Sequence, residues 1–207
     1  MLDLTGAPYK TVRLDEETLE DPQSRTRLWE SLLEWDQRGY VMSASTPGED
    51  IYTETGKRPE KDGTGLVHGH AYTLLQVRQT TGEHQLLQVR NPWGNFEWTG
   101  DWSDNSELWT DELRKEVGTA FDDEDGAFWM SFEDVLKHFF SVNVCMVKNA
   151  CANVAPWREQ RRKVDVNYTE DGTVSSSSMY VLSLERSASL YVSVHQEDTR
   201  CANAKPY

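Results

Sequence analysis

Two runs of sequence decide the reading of this chain: Gly69-His70-Ala71-Tyr72-Thr73-Leu74-Leu75-Gln76-Val77, and Gln85-Leu86-Leu87-Gln88-Val89-Arg90-Asn91-Pro92-Trp93-Gly94. Aliphatic, aromatic and β-branched residues dominate Ala71 to Val77 and Gln85 to Val89, and a short connection containing Gly82 separates them. The pattern predicts an antiparallel hairpin. A histidine stands at its entrance and an asparagine, held extended by the following proline, stands just past its exit.

Upstream, Leu28, Trp29, Leu32 and Leu33 repeat at helical spacing within Arg25 to Arg38, and Gly39 ends the pattern. A helix with one buried face is expected there. Ser43 to Gly65 carries Pro47, Gly48, Gly56, Pro59, Gly63 and Gly65 among charges, and reads as a long loop. Downstream, Thr99 to Ala127 also reads as a loop, with ten acidic side chains against Arg114 and Lys115. Ser131-Phe132-Glu133-Asp134 then resembles a capping box opening a short helix, with Phe132, Val135, Leu136, Phe139 and Phe140 on one face. Val142 to Val147 alternates like a strand. The composition changes at Lys148 to Ala155. Beyond it, short alternating runs at Lys163 to Tyr168, Met179 to Leu184 and Leu190 to Val194 predict the beginning of a β-sandwich, with too few strands to complete one.

The chain has 207 residues, 21 Lys and Arg against 35 Asp and Glu, and a net charge of −14. No basic stripe is available for phosphate contacts, which argues against a nucleic-acid or anionic-membrane partner. Neither an apolar run long enough for a transmembrane segment nor a signal-peptide pattern is present, so a cytoplasmic location is expected. Cys145, Cys151 and Cys201 lack the paired spacings of a zinc site or a disulfide framework, which fits reduced thiols.

Two residues stand out chemically. An imidazole at a strand entrance, as at His70, is partly fixed by packing and partly accessible, which suits a group that takes up and releases a proton. A structural histidine fits the same position. The Asn91 carbonyl is able to accept the ring N–H of a histidine and fix its tautomer without adding charge, whereas Asn-Pro-Trp-Gly alone also reads as a turn anchored by its Trp. A third reading takes His68, His70 and His84 as a zinc site, with the first two on one strand face.

Taken together, these segments resemble the second half of the protease core of calpains, intracellular cysteine proteases with a papain-like catalytic arrangement. The resemblance is carried by Gly69-His70-Ala71-Tyr72, by Arg90-Asn91-Pro92-Trp93-Gly94 with Glu97-Trp98-Thr99-Gly100 and Trp102-Ser103-Asp104, and by Asp125-Gly126 with Phe128-Trp129-Met130-Ser131-Phe132. It covers roughly Leu2 to Val147 and extends to Asp3-Leu4-Thr5-Gly6 near the start. It implies that His70 is the catalytic histidine, that Asn91 orients it, and that Trp93 shields their contact. It also implies calcium, with Glu97, Asp104 and Asp125 as carboxylate ligands and Asp123 supplying a backbone carbonyl. Ala127 departs from the pattern, standing where the best-known members have a Glu ligand.

The larger departure is the nucleophile, because no cysteine precedes His70. In the family that cysteine lies at a helix N-terminus in the other half of the core. The expectation is therefore an α+β chain, the His/Asn half of a papain-like cysteine protease core, with an antiparallel sheet and flanking helices, followed by a partial β-sandwich. Residues 1–147 would form the second core subdomain, 148–156 a linker and 157–207 the truncated sandwich. The implied function is calcium-dependent endopeptidase action on protein substrates, with the chain alone a fragment that is inactive without the missing N-terminal half of the core. A non-catalytic calcium-responsive or protein-binding module is the alternative. An exposed apolar face is expected where the absent half would dock.

Overall fold

The computed structural model describes residues 5–15, 19–49, 63–118, 125–147, 160–163, 166–168, 174–176, 181–187 and 190–192. The chain divides into two compact units, Met1–Pro156 and Trp157–Tyr207.

In the first unit, strands β1 (Tyr9–Arg13), β2 (Val41–Ser45), β3 (Ala71–Gln79), β4 (Gln85–Arg90), β5 (Ala127–Ser131) and β6 (Ser141–Cys145) form one six-stranded sheet in the order β1-β6-β2-β3-β4-β5. Every pairing is antiparallel. The predicted hairpin is β3–β4, with an irregularity between Leu74 and Gln76. Because its strands run in opposite directions, the entrance of β3 and the exit of β4 lie at the same end, which brings His70 and Asn91 together.

Helix α1 (Pro22–Gln37) begins three residues earlier than its periodicity suggests, because Asp21 caps it by accepting the N–H groups of Gln23 and Ser24 and Pro22 occupies the first helical position. Leu28, Trp29, Leu32 and Trp35 are its buried residues. Trp29 Nε1–H donates to Gln79 at the end of β3, and Arg78 reaches Asp36, so the helix lies along the hairpin. Helix α3 (Phe132–His138) is capped by Ser131, whose side chain accepts the Asp134 N–H. It ends before Phe139, two residues short of the apolar pattern, leaving Phe140 exposed. These two helices and one face of the sheet enclose the main core, with Leu32, Tyr72, Leu87, Val89, Phe128 and Met130 at its centre.

A second apolar cluster covers the opposite face of β4 and β5. Leu86, Trp102, Trp109, Val117 and Trp129 compose it. The acidic stretch 99–127, expected to be a plain loop, therefore contributes core: Trp102 and Trp109 meet edge to face at 5.0 Å, and helix α2 (Asp111–Val117) is capped by Thr110. Ala127 belongs to β5. Likewise Ser43 to Ser45, expected in the long loop, complete β2, and residues 50–62 of that expected loop lie outside the described residues. Strand β6, Ser141–Cys145, is shifted slightly from the expected Val142 to Val147.

In the second unit, Val166–Tyr168 (β7) pairs antiparallel with Val174–Ser176 (β8). The expected runs at Met179 to Leu184 and Leu190 to Val194 carry no strand where described, at 181–184 and 190–192. Ser175 and Ser176 thus lie in β8, outside the three expected runs.

Candidate active site

His70 precedes β3 and is 8% exposed; Asn91 follows β4 and is fully buried. Their side chains meet at 2.9 Å between His70 Nε2 and Asn91 Oδ1. The remaining contacts of the Asn91 amide fix its orientation. Its Nδ2 donates to the carbonyls of Asn95 and Phe96, so the nitrogen faces those carbonyls and the oxygen faces the imidazole. The same oxygen accepts the Trp93 N–H at 3.0 Å. An oxygen can only accept, so Nε2 carries the hydrogen of a neutral ring, and Nδ1 has the lone pair.

The Asn91 backbone is held equally firmly. Its N–H donates to Gly126 O at 2.8 Å, and its carbonyl accepts the Gly94 N–H at 3.0 Å, closing the Pro92-Trp93 turn. Gly126 adopts φ +79°, and a Cβ there would stand 2.8 Å from both Asn91 O and Gly94 Cα. Only glycine meets both demands without displacing the asparagine.

Three aromatic rings frame the pair. Trp93 lies against the imidazole with ring centroids 4.1 Å apart, and Tyr72 meets it edge-on at 5.0 Å. Phe96 in turn meets Trp93 at 6.5 Å. Shielding of this kind strengthens the His–Asn bond by lowering the local dielectric.

Two further side chains hold the turn that carries His70. Thr46, at the exit of β2 and inside the stretch read as a loop, has its hydroxyl between Val67 O and the His70 N–H. The Tyr72 hydroxyl accepts the Val67 N–H at 2.8 Å. Tyr72 was visible as part of the motif, without this role.

The acidic residues behave differently from the His–Asn pair. Glu97 Oε1 accepts the Gly126 N–H at 2.8 Å, and exposed Asp125 uses Oδ1 to accept the Ala127 N–H at 2.7 Å. Asp104 is buried, and its backbone carbonyl accepts from Arg114 at 2.9 Å. Asp123 lies outside the described residues. Among the described residues no three His, Cys, Asp or Glu side chains converge as metal ligands. The calcium set implied by the resemblance also draws on Asp123 and on backbone carbonyls, since calcium takes six to eight oxygens. For the zinc reading no cluster forms among the described residues: residues 68 and 69 form a turn rather than strand, and His84 stacks on Trp102 at 4.7 Å beyond the far end of β3.

Among the described residues a cysteine nucleophile is likewise not beside His70. Cys145 is buried in β6 with its sulfur 3.3 Å from Thr5 Oγ1, while Cys151 and Cys201 lie outside the described residues. No helix among the described residues is long and apolar enough to cross a membrane.

The family model described as calpain family cysteine protease matches residues 1–146, and the chain belongs to that family. Similar proteins include the calpain-type cysteine protease DEK1 of Arabidopsis thaliana, 38% identical over 149 residues that make up 71% of this chain and 6% of the relative. Calpain-5 of Mus musculus is 36% identical over 165 residues, covering 72% of this chain and 25% of the relative. Calpain-14 of Homo sapiens is 34% identical over 151 residues, covering 70% and 19%. The chain thus spans a quarter or less of the length of these relatives.

Proposed function

We propose that residues 1–147 are the acid–base half of a papain-like calpain-type cysteine endopeptidase, acting on a thiol supplied by a nucleophile-bearing half of the core outside this chain. The observation that carries the reading is the His70 Nε2–Asn91 Oδ1 bond, with the amide oriented by two backbone carbonyls. It leaves His70 Nδ1 as the nitrogen that exchanges protons.

In this reading the incoming thiol gives its proton to Nδ1, producing a thiolate and an imidazolium. The thiolate attacks the scissile carbonyl of an extended protein substrate. As the tetrahedral intermediate collapses, Nδ1–H protonates the departing amine and leaves a thioester. Water then attacks the thioester, giving its proton to Nδ1; the C–S bond breaks, which frees the acid product and regenerates the thiolate beside the imidazolium. Asn91 stays neutral throughout and holds the ring in one tautomer and orientation.

Calcium dependence belongs, in this reading, to the complete peptidase and rests on family resemblance; no step above runs through a cation. A cytoplasmic setting agrees with the reducing conditions that a reactive thiol needs. The Trp157–Tyr207 unit, with its β7–β8 pair, is read as the opening of the family's β-sandwich domain.

The test is complementation. Mixed or fused with the nucleophile-bearing half of a calpain-type relative, the chain is expected to support cleavage of an unstructured protein, while the chain alone is inactive. Persistent inactivity of a folded, assembled pair, with and without calcium, would overturn the catalytic reading in favour of a binding module.

A further inference from the structure

We propose that Thr46 is a positioning residue for His70: its side chain replaces a missing half-rung of the sheet and staples the turn from which the imidazole projects. The inference rests on the reading of His70 as the proton carrier.

The register of β2 with β3 ends at Ser45 opposite Ala71, so Thr46 and His70 form the next pair. One half of that rung is ordinary, with Thr46 N–H donating to His70 O at 2.9 Å. For the other half, the His70 N–H would normally be accepted by the Thr46 carbonyl. Pro47 follows, the chain turns away, and the Thr46 hydroxyl accepts the His70 N–H instead at 3.0 Å. The hydroxyl hydrogen is then available to a second partner, Val67 O, at 2.6 Å, with His70 O farther off at 3.2 Å.

The consequence is a clamp across the His68-Gly69 turn. Val67 on one side and His70 on the other are tied to the single hydroxyl of Thr46, a residue that is 3% exposed. Pro47 O adds a bond from Gly69 N–H at 2.9 Å. Tyr72 completes the fixation by accepting the Val67 N–H with the same side chain whose ring edge meets His70. Asn91 fixes the far end of the imidazole; Thr46 fixes the backbone from which it starts. Neither constraint alone defines where Nδ1 points, because the ring can swing about its side-chain bonds if its backbone shifts.

The requirement is chemically narrow. A side chain at this position must both accept from N–H and donate to C=O, and must do so at short range, which restricts it to Thr or Ser. Thr46→Val keeps the shape and removes both bonds, leaving a buried donor and a buried acceptor without partners.

The experiment is nitrogen NMR of the His70 ring in the full chain, compared among wild type, Thr46→Val, Thr46→Ser and Asn91→Ala. Wild type is expected to show one protonated-type nitrogen at Nε2 and one lone-pair nitrogen at Nδ1. Thr46→Val is expected to pull the two shifts toward an averaged tautomer, Thr46→Ser to restore the wild-type pattern, and Asn91→Ala to average them as well. Loss of pattern in Asn91→Ala with none in a folded Thr46→Val would overturn the role of Thr46 alone. No change in any variant would overturn the His–Asn reading beneath it. Should Thr46→Val fail to fold, hydrogen exchange of the wild-type chain decides: the His70 amide must be protected by at least about a hundredfold, the equivalent of two such bonds. Exchange near the unprotected rate would refute the clamp.

Discussion

Replacing Gly126 by alanine is the sharpest structural perturbation of the His–Asn pair that leaves both residues in place. Gly126 has φ +79°, and the added methyl would stand 2.8 Å from Asn91 O, 2.8 Å from Gly94 Cα and 3.1 Å from Gly94 C. All three are backbone atoms that cannot rotate away. The left-handed backbone alone costs a non-glycine residue about 1–2 kcal/mol, partly offset by about 0.4–1 kcal/mol from the reduced freedom of the unfolded chain. Overpacking adds about 1–3 kcal/mol. The expected loss is therefore about 2–4 kcal/mol, a large fraction of the stability of an ordinary domain. Gly94→Ala supplies the control, since Gly94 also has a positive φ, +71°, but no atom within 4 Å of the place its methyl would occupy. It should lose only the backbone part, about 1 kcal/mol. Urea unfolding followed by Trp fluorescence separates the two, because a slope of about 1–3 kcal/mol per molar urea turns the difference into a resolvable midpoint shift. Equal midpoints for the two variants would refute the crowding argument, and with it the claim that Gly126 fixes the Asn91 backbone.

Other outcomes follow from charges and caps. Burial, the largest influence, pushes the Asp36 carboxyl above its ordinary value of 3.8 although Arg78 Nη1 lies 3.1 Å away. The folded chain therefore keeps this proton to higher pH than the unfolded chain, so the group's contribution to stability is fullest below that ordinary value and declines as pH rises through the raised one. Asp36→Asn should flatten that decline in urea midpoints measured across the acidic range; an unchanged slope would contradict it. Asp21 has the opposite sign: the Ser24 hydroxyl and the Gln23 N–H hold its carboxyl below 3.8, so its support for α1 is present above that value and fades as pH falls through the lowered one. Asp21→Ala should lower thermal stability at neutral pH and erase that part of the acid dependence, with calorimetry as the check. Glu97 is engaged by Gly126 N–H, and the described carboxylates do not converge. Millimolar calcium should accordingly leave the melting temperature of this chain unchanged, whereas a saturable rise abolished by Glu97→Gln would mean the loop rearranges into a site.

The hairpin and its two chemical residues were legible because their signals are local. Runs of aliphatic, aromatic and β-branched residues mark β3 and β4, the X-Pro step marks Asn91, and antiparallel geometry does the rest. The edge strand β1 was missed because Tyr9-Lys10-Thr11-Val12-Arg13 is largely exposed and its polar residues face solvent, where Tyr9 and Thr11 bond Asn143 across to β6. β5 was missed for the opposite reason. Phe128, Trp129 and Met130 are all buried, since the main core covers one face and the Trp cluster the other, and a strand enclosed on both faces has no period of two to read. Helix α2 is short and charged, and shows itself only through the Thr110 cap and the packing of Val117. Thr46 carries no signal at all in a stretch of Ser, Thr, Pro and Gly; its role arises from a sheet rung that exists only in three dimensions.

The resemblance extended the reading unequally over the chain. His70, Asn91 and Trp93 lie in contact, the ring against both the amide and the indole. In the acidic set, Glu97 and Asp125 each accept a backbone N–H at the Gly126 turn, from Gly126 and Ala127. The same turn reaches Asn91, so any cation that claimed Glu97 would compete for a bond one link from the asparagine backbone.

The central claim, that His70 serves as the proton partner of a thiol supplied by another part of the core, is tested most directly by the pH dependence of alkylation of that thiol. With the nucleophile-bearing half assembled on this chain, the thiol should react as a thiolate well below the pKa of about 8.5 of an ordinary cysteine, and His70→Ala should return the profile to that ordinary value. An alkylation profile unchanged by assembly, or unchanged by His70→Ala, would contradict the account.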